Sequence, residues 1–83
     1  MEYYVWIARS VTQAQHVRQL LERAGVRVFV SRAPTALSDR GCSYAVRVRS
    51  SQWPEAKAVL AGSGIRPQAI YAGDGKTYRE VPL

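Results

Sequence analysis

Tyr4, Arg9, Ser10 and Leu20 recur forty residues later as Tyr44, Arg49, Ser50 and Leu60, and the AGV of residues 24–26 returns as SGI at 63–65. A short chain that passes twice through strand, helix, glycine and strand has few ways to fold, because each half must bury its apolar face against the other. The first half opens with YYVWIA (3–8), a continuous aromatic and β-branched run suited to a central strand. Ser10 and Gln13 then stand at capping-box spacing. Val11, Ala14, Val17, Leu20, Leu21 and Ala24 keep a helical period, and Gly25 offers a left-handed stop, so the spacing predicts a helix over 11–24. VRVFVS (26–31) alternates as a second strand.

Residues 32–41, rich in Pro, Ser, Asp and Gly, make a longer connection than a tight hairpin needs, and SYAVRVR (43–49) reads as a third strand. Ser50 or Ser51 opens another helix, in which Pro54 falls in the first turn, and Gly62 or Gly64 closes it. QAIYA (68–72) is a fourth strand, and Asp74-Gly75 turns the chain into a short fifth strand at 77–81. The pattern predicts an α+β fold: a ferredoxin-like βαββαβ sandwich whose antiparallel sheet has the order 4-1-3-2, both helices on one face, and a short C-terminal hairpin strand. At 83 residues the chain has material for one core, so residues 1–83 form a single domain with 73–83 as its hairpin extension.

The balance of 12 Lys+Arg against 6 Asp+Glu gives a net charge of +6, and ten of the twelve bases are arginine. Arginine's planar fork suits carboxylate and phosphate, so acidic proteins, nucleic acid and small anions are the partners this charge favours. The bases are dispersed, with no block of five, as on a solvated surface. A single cysteine excludes an intrachain disulfide and the Cys/His clusters of zinc or iron–sulfur sites, and His16 alone makes no metal site. MEYYVWIARS has neither the pattern of a signal peptide nor the length of a membrane span, so the expected compartment is the cytoplasm, where a lone thiol stays reduced.

That lone thiol is Cys42. In the expected topology the start of the third strand lies beside the end of the first, where the first helix begins, which brings Cys42 near Ser10. A helix start presents unsatisfied N–H groups and about half a positive elementary charge. Arg9 and Arg32 end their strands at the same rim, and Arg40 lies two residues from the cysteine. Such surroundings lower a thiol's pKa below its free value of about 8.5 and expose a nucleophilic thiolate. The candidate reactive group is therefore Cys42, with Ser10, Arg9, Arg32, Arg40, Gly41 and Ser43 as the residues that would hold an anion on it. A competing reading makes Cys42 a small apolar filler. If Arg47 and Arg49 face solvent, then Tyr44, Val46, Val48 and, by alternation, Cys42 face inward. The Arg40-Gly41 turn before it favours a presented group over a plug.

Ser10, Leu21, Ala24-Gly25-Val26, Pro34, Ser38, Cys42, Gly64-Ile65 and Tyr71, taken in order, resemble the selenium/sulfur carrier-like family of small bacterial proteins, a likeness spanning about residues 3–71. One position departs from it: the family cysteine is followed by glycine, and here Ser43 stands there. The resemblance implies a carrier, not a catalyst, that holds sulfur or selenium as a cysteine persulfide or selenopersulfide. It implies no cofactor, and a donor and an acceptor protein as partners. The arginines add that those partners would offer acidic surfaces.

Two further readings compete. VWIARS (5–10) and RGCSYAVR (40–47) resemble the strand motifs of RNA-recognition domains, which stack bases on a ferredoxin-like sheet. Against this, Cys42 and Arg47 stand where that motif has aromatics, and its register would turn Arg47 into the core. The other reading is a homodimeric interaction module with a structural cysteine, since Tyr3, Tyr4, Trp6 and Phe29 exceed what one helical layer covers. Trp53 is expected to pack the second helix on the sheet, and His16 to lie on the exposed side of the first.

Overall fold

The computed structural model describes residues 2–33 and 44–82. The chain runs β1 (Tyr3–Ala8), α1 (Val11–Arg23), β2 (Val28–Arg32), β3 (Tyr44–Arg49), a 3-10 turn (Ser50–Gln52), α2 (Trp53–Ser63), β4 (Ala69–Gly73) and β5 (Tyr78–Val81). The strands form one antiparallel sheet in the order β2-β3-β1-β4-β5. Its first four strands have the 4-1-3-2 order and βαββαβ connectivity expected of a ferredoxin-like α+β sandwich, and β5 extends the sheet beyond β4.

Local chemistry explains where each element starts and stops. Ser10 is extended at φ −152°, and its Oγ accepts the Gln13 N–H at 3.1 Å, which fixes the first turn of α1. At the other end Gly25, at φ 82°, donates to the Glu22 carbonyl, and Val26 donates to the Leu21 carbonyl at 2.9 Å. This pair of bonds is a Schellman closure. Because Val26 is spent on it, β2 begins at Val28, two residues later than the alternation predicts.

The second helix departs from expectation at its start. Ser50 and Ser51 lie in the 3-10 turn, and α2 begins at Trp53 with Pro54 in its first turn and no side-chain cap. Gln52 instead accepts the Arg27 N–H at 3.2 Å, tying the turn to the approach of β2. Gly64, at φ 75°, ends α2. In the β4–β5 turn the Asp74 carboxylate accepts the N–H groups of Lys76 and Thr77 at 2.9 and 3.0 Å. Those bonds, Thr77 foremost, hold its pKa below the usual carboxylate value. Gly73 is required by space: a Cβ there would meet the Thr77 carbonyl oxygen and come within 2.7 Å of Tyr78 Cδ1.

Both helices cover the same side of the sheet. Trp6, Ala8, Val28, Val46 and Val48 face them, packed with Ala14, Val17 and Leu21 of α1 and with Trp53, Ala56 and Leu60 of α2. Val5, Ile7, Ala33 and Ala45 form a smaller cluster on the other side with Ala69, Tyr71 and Tyr78. Arg47 and Arg49 lie on that second side, as alternation requires, and both are half-buried. The Arg47 guanidinium sits 5.8 Å from the centre of the Tyr3 ring, and the Nε atoms of both arginines are buried with no hydrogen-bond partner among the described residues. Of the four aromatics expected to overfill one layer, Tyr4 and Trp6 join the helical side, while Phe29 on edge strand β2 is left 42% exposed. No helix of the described residues is long and apolar enough to cross a membrane.

Candidate functional site

Two backbone registers assemble the rim at which α1 begins. Ala8, the last residue of β1, pairs with Tyr44, the first of β3, and Tyr44 pairs on its other side with Arg32, the last of β2. The end of β1, the end of β2 and the start of β3 therefore lie in one row. Arg9 and Ser10 continue the chain from Ala8 into the helix, and both are exposed, as is Arg32.

Gln13 organises the start of α1 in two directions. Its N–H donates to Ser10 Oγ, and its Oε1 accepts the Arg9 N–H at 2.7 Å, so the capping box is closed one residue earlier than usual. Its Nε2 donates to the Arg66 carbonyl at 3.4 Å, while the Gln68 N–H donates to the Ile7 carbonyl at 2.8 Å. The connection from α2 to β4 is thus pinned to the same rim. Among the described residues no acceptor meets the N–H groups of Val11 and Thr12, and no carboxylate pairs with Arg9 or Arg32. Unsatisfied first-turn donors and unpaired guanidinium groups make the rim favourable for an anion.

Of the expected site residues, Arg9, Ser10 and Arg32 are thus brought to one edge. Arg40, Gly41, Cys42 and Ser43 lie outside the described residues. Gln13 was legible as half of a capping box, but its bond to Arg66, across 53 positions of sequence, had no local signal. The capping bond gives a direct test: Ser10→Ala is expected to lower stability by about 1 kcal/mol in urea unfolding, and Ser10→Asp to restore most of it. Equal stability of Ser10→Ala and the natural protein would show that the Gln13 contact does not anchor the helix.

The aromatic groups that an RNA-binding sheet needs are turned the wrong way. Trp6 is 1% exposed and faces the helices, and Tyr44 packs on the same side. Trp53 is buried as expected, its indole stacked on Tyr4 at 4.7 Å and 4°, and His16 is exposed.

A small α+β sandwich with a basic, donor-rich rim at the start of its first helix is the class these features define. Within that class, residues 3–72 match the family described as "Putative Se/S carrier protein-like", and the chain belongs to it. No curated protein and no solved structure gives a significant match.

Proposed function

We propose that the protein carries sulfur or selenium as a persulfide or selenopersulfide on Cys42, between a donor and an acceptor protein. Membership of the Se/S carrier-like family over residues 3–72 carries the reading. The register supports it: two peptide units join Cys42 to Tyr44, a reach of about 7 Å between Cα atoms, and Tyr44 is the ladder partner of Ala8 at the mouth of α1. In loading, the Cys42 thiolate attacks the outer sulfur of a donor persulfide. A new S–S bond forms at Cys42, the donor's S–S bond breaks, and the donor departs as a thiolate, so that atoms, charge and electrons balance without an added oxidant. Unloading is the same exchange with an acceptor thiolate as the attacking group. The first-turn N–H groups, Arg9, Arg32 and Arg40 stabilise the bound anion, with Gly41 and Ser43 beside it. The same arginines suit donor and acceptor proteins with acidic docking surfaces, and a reducing compartment such as the cytoplasm keeps the unloaded thiol free.

Intact mass spectrometry after incubation with a small-molecule persulfide tests this. The expected result is an adduct of one sulfur that a thiol reductant removes and that Cys42→Ser never forms. An unmodified natural protein at every donor concentration, while a free-cysteine peptide is loaded, would sink the proposal.

A further inference from the structure

β4 and β5 extend the sheet past β1, and neither helix packs closely against them. A cavity of about 340 Å³ opens beside α2, within the range of roughly 300–1,000 Å³ in which small-molecule sites fall. Trp6 and Ile70, partners in register across β1 and β4, form its floor, and Trp53 and Leu60, on one face of α2, form its wall. Tyr4 holds the Trp53 ring by stacking, and Trp6 is locked in the core, so the apolar surface is set before any ligand arrives.

Two cations stand at its edge. Lys57, one turn after Trp53 on α2, and Arg66, whose carbonyl is held by Gln13, both line the cavity and are both exposed. Neither has a carboxylate partner among the described residues. Apart from these two, the side chains lining the cavity are hydrocarbon or aromatic. A sugar or nucleoside would find no hydroxyl, amide or carboxylate there to replace its water. A ligand with an apolar body and one negative end matches both halves of the lining.

We propose that this cavity binds a small organic acid, an aryl or acyl carboxylate whose body lies against Trp53, Leu60 and Ile70 and whose carboxylate meets Lys57 and Arg66. The site stands apart from the carrier reading, because none of its lining residues belongs to the expected thiol site. The carboxylate distinguishes the acid from its neutral analogues, since two partly solvated ion pairs together are worth about a tenfold change in affinity at low salt. The apolar lining sets which bodies fit.

Titrating the isotope-labelled full chain with 4-phenylbutyrate and, in parallel, with its neutral amide tests the proposal by NMR. The acid is expected to shift the Trp53 indole N–H and the amides of Lys57, Ala61 and Arg66, and to bind about tenfold more tightly than the amide at low ionic strength. The double substitution Lys57→Gln with Arg66→Gln is expected to erase that preference while keeping amide binding. Ala61→Trp, at an exposed position of the lining, is expected to block both ligands. Equal affinity of acid and amide for the natural protein, a preference that survives loss of both cations, or shifts confined to other residues would overturn the proposal. So would shifts of these signals on diluting the protein alone, which would mean that a second copy occupies the cavity.

Discussion

Trp6→Ala is expected to remove about 3–5 kcal/mol of folding stability, a large part of the roughly 5–15 kcal/mol that holds an ordinary domain together. Trp6 is 1% exposed and is flanked in register by Val46 and Ile70, beneath the helical layer. Truncation would leave a void that deepens the open cavity beside Trp53 and Leu60, whose floor Trp6 shares with Ile70. Urea unfolding should show a much lower midpoint with a similar slope, because the surface exposed on unfolding hardly changes. Trp6→Phe should recover more than half of the loss by refilling most of the volume. The result also separates two functions: a base-stacking ring would give up RNA affinity and leave stability nearly intact. A loss under about 1 kcal/mol would mean that the indole is not the core group its burial indicates.

The fold was legible because local signals agreed with one another. The helical period from Val11 to Ala24, the glycine at 25 and the Asp74-Gly75 turn each named an element that the structure contains within one or two residues. Misplaced boundaries share one cause, backbone or side-chain groups committed to partners that spacing does not reveal. The Val26 N–H closes α1 and delays β2, and Gln52 bridges to Arg27 where a serine cap was expected. The burial of Arg47 depends on Tyr3, a neighbour across the sheet that lies 44 positions away in sequence.

The rim of Arg9, Ser10 and Arg32 was legible for a topological reason. Once β1 and β3 are antiparallel neighbours, the start of one must meet the end of the other, and Ala8 does pair with Tyr44. No comparable rule announces the cavity. Trp53, Lys57 and Leu60 follow helical spacing, but only the uncovered flank of β4 turns that face into a wall. Its second cation arrives from the connection after α2, placed by the Gln13 bond to Arg66.

The sharpest consequence of strand alternation concerns two adjacent residues. Val46→Asp is expected to remove about 3–5 kcal/mol of folding stability at pH 7, whereas Arg47→Gln should cost about 1 kcal/mol or less. Val46 is 0% exposed and lies in register between Trp6 and Val30, so an aspartate there would bury a charge with no partner, at a cost of about 3–5 kcal/mol. Arg47 is on the other side of the sheet, and its buried Nε has no hydrogen bond to lose among the described residues. The loss in Val46→Asp should depend on pH in a known direction. Burial raises the folded-state pKa of the new carboxyl above its unfolded value of about 3.9. The penalty is therefore complete above the folded-state value and shrinks as pH falls toward the unfolded one, because protonation lets the group be buried neutral. Urea unfolding followed by circular dichroism at pH 7 and pH 5, each variant compared with the natural protein at the same pH, measures both effects. A stable Val46→Asp beside an unfolded Arg47→Gln would place β3 one residue out of register and turn every side chain on it to the opposite face.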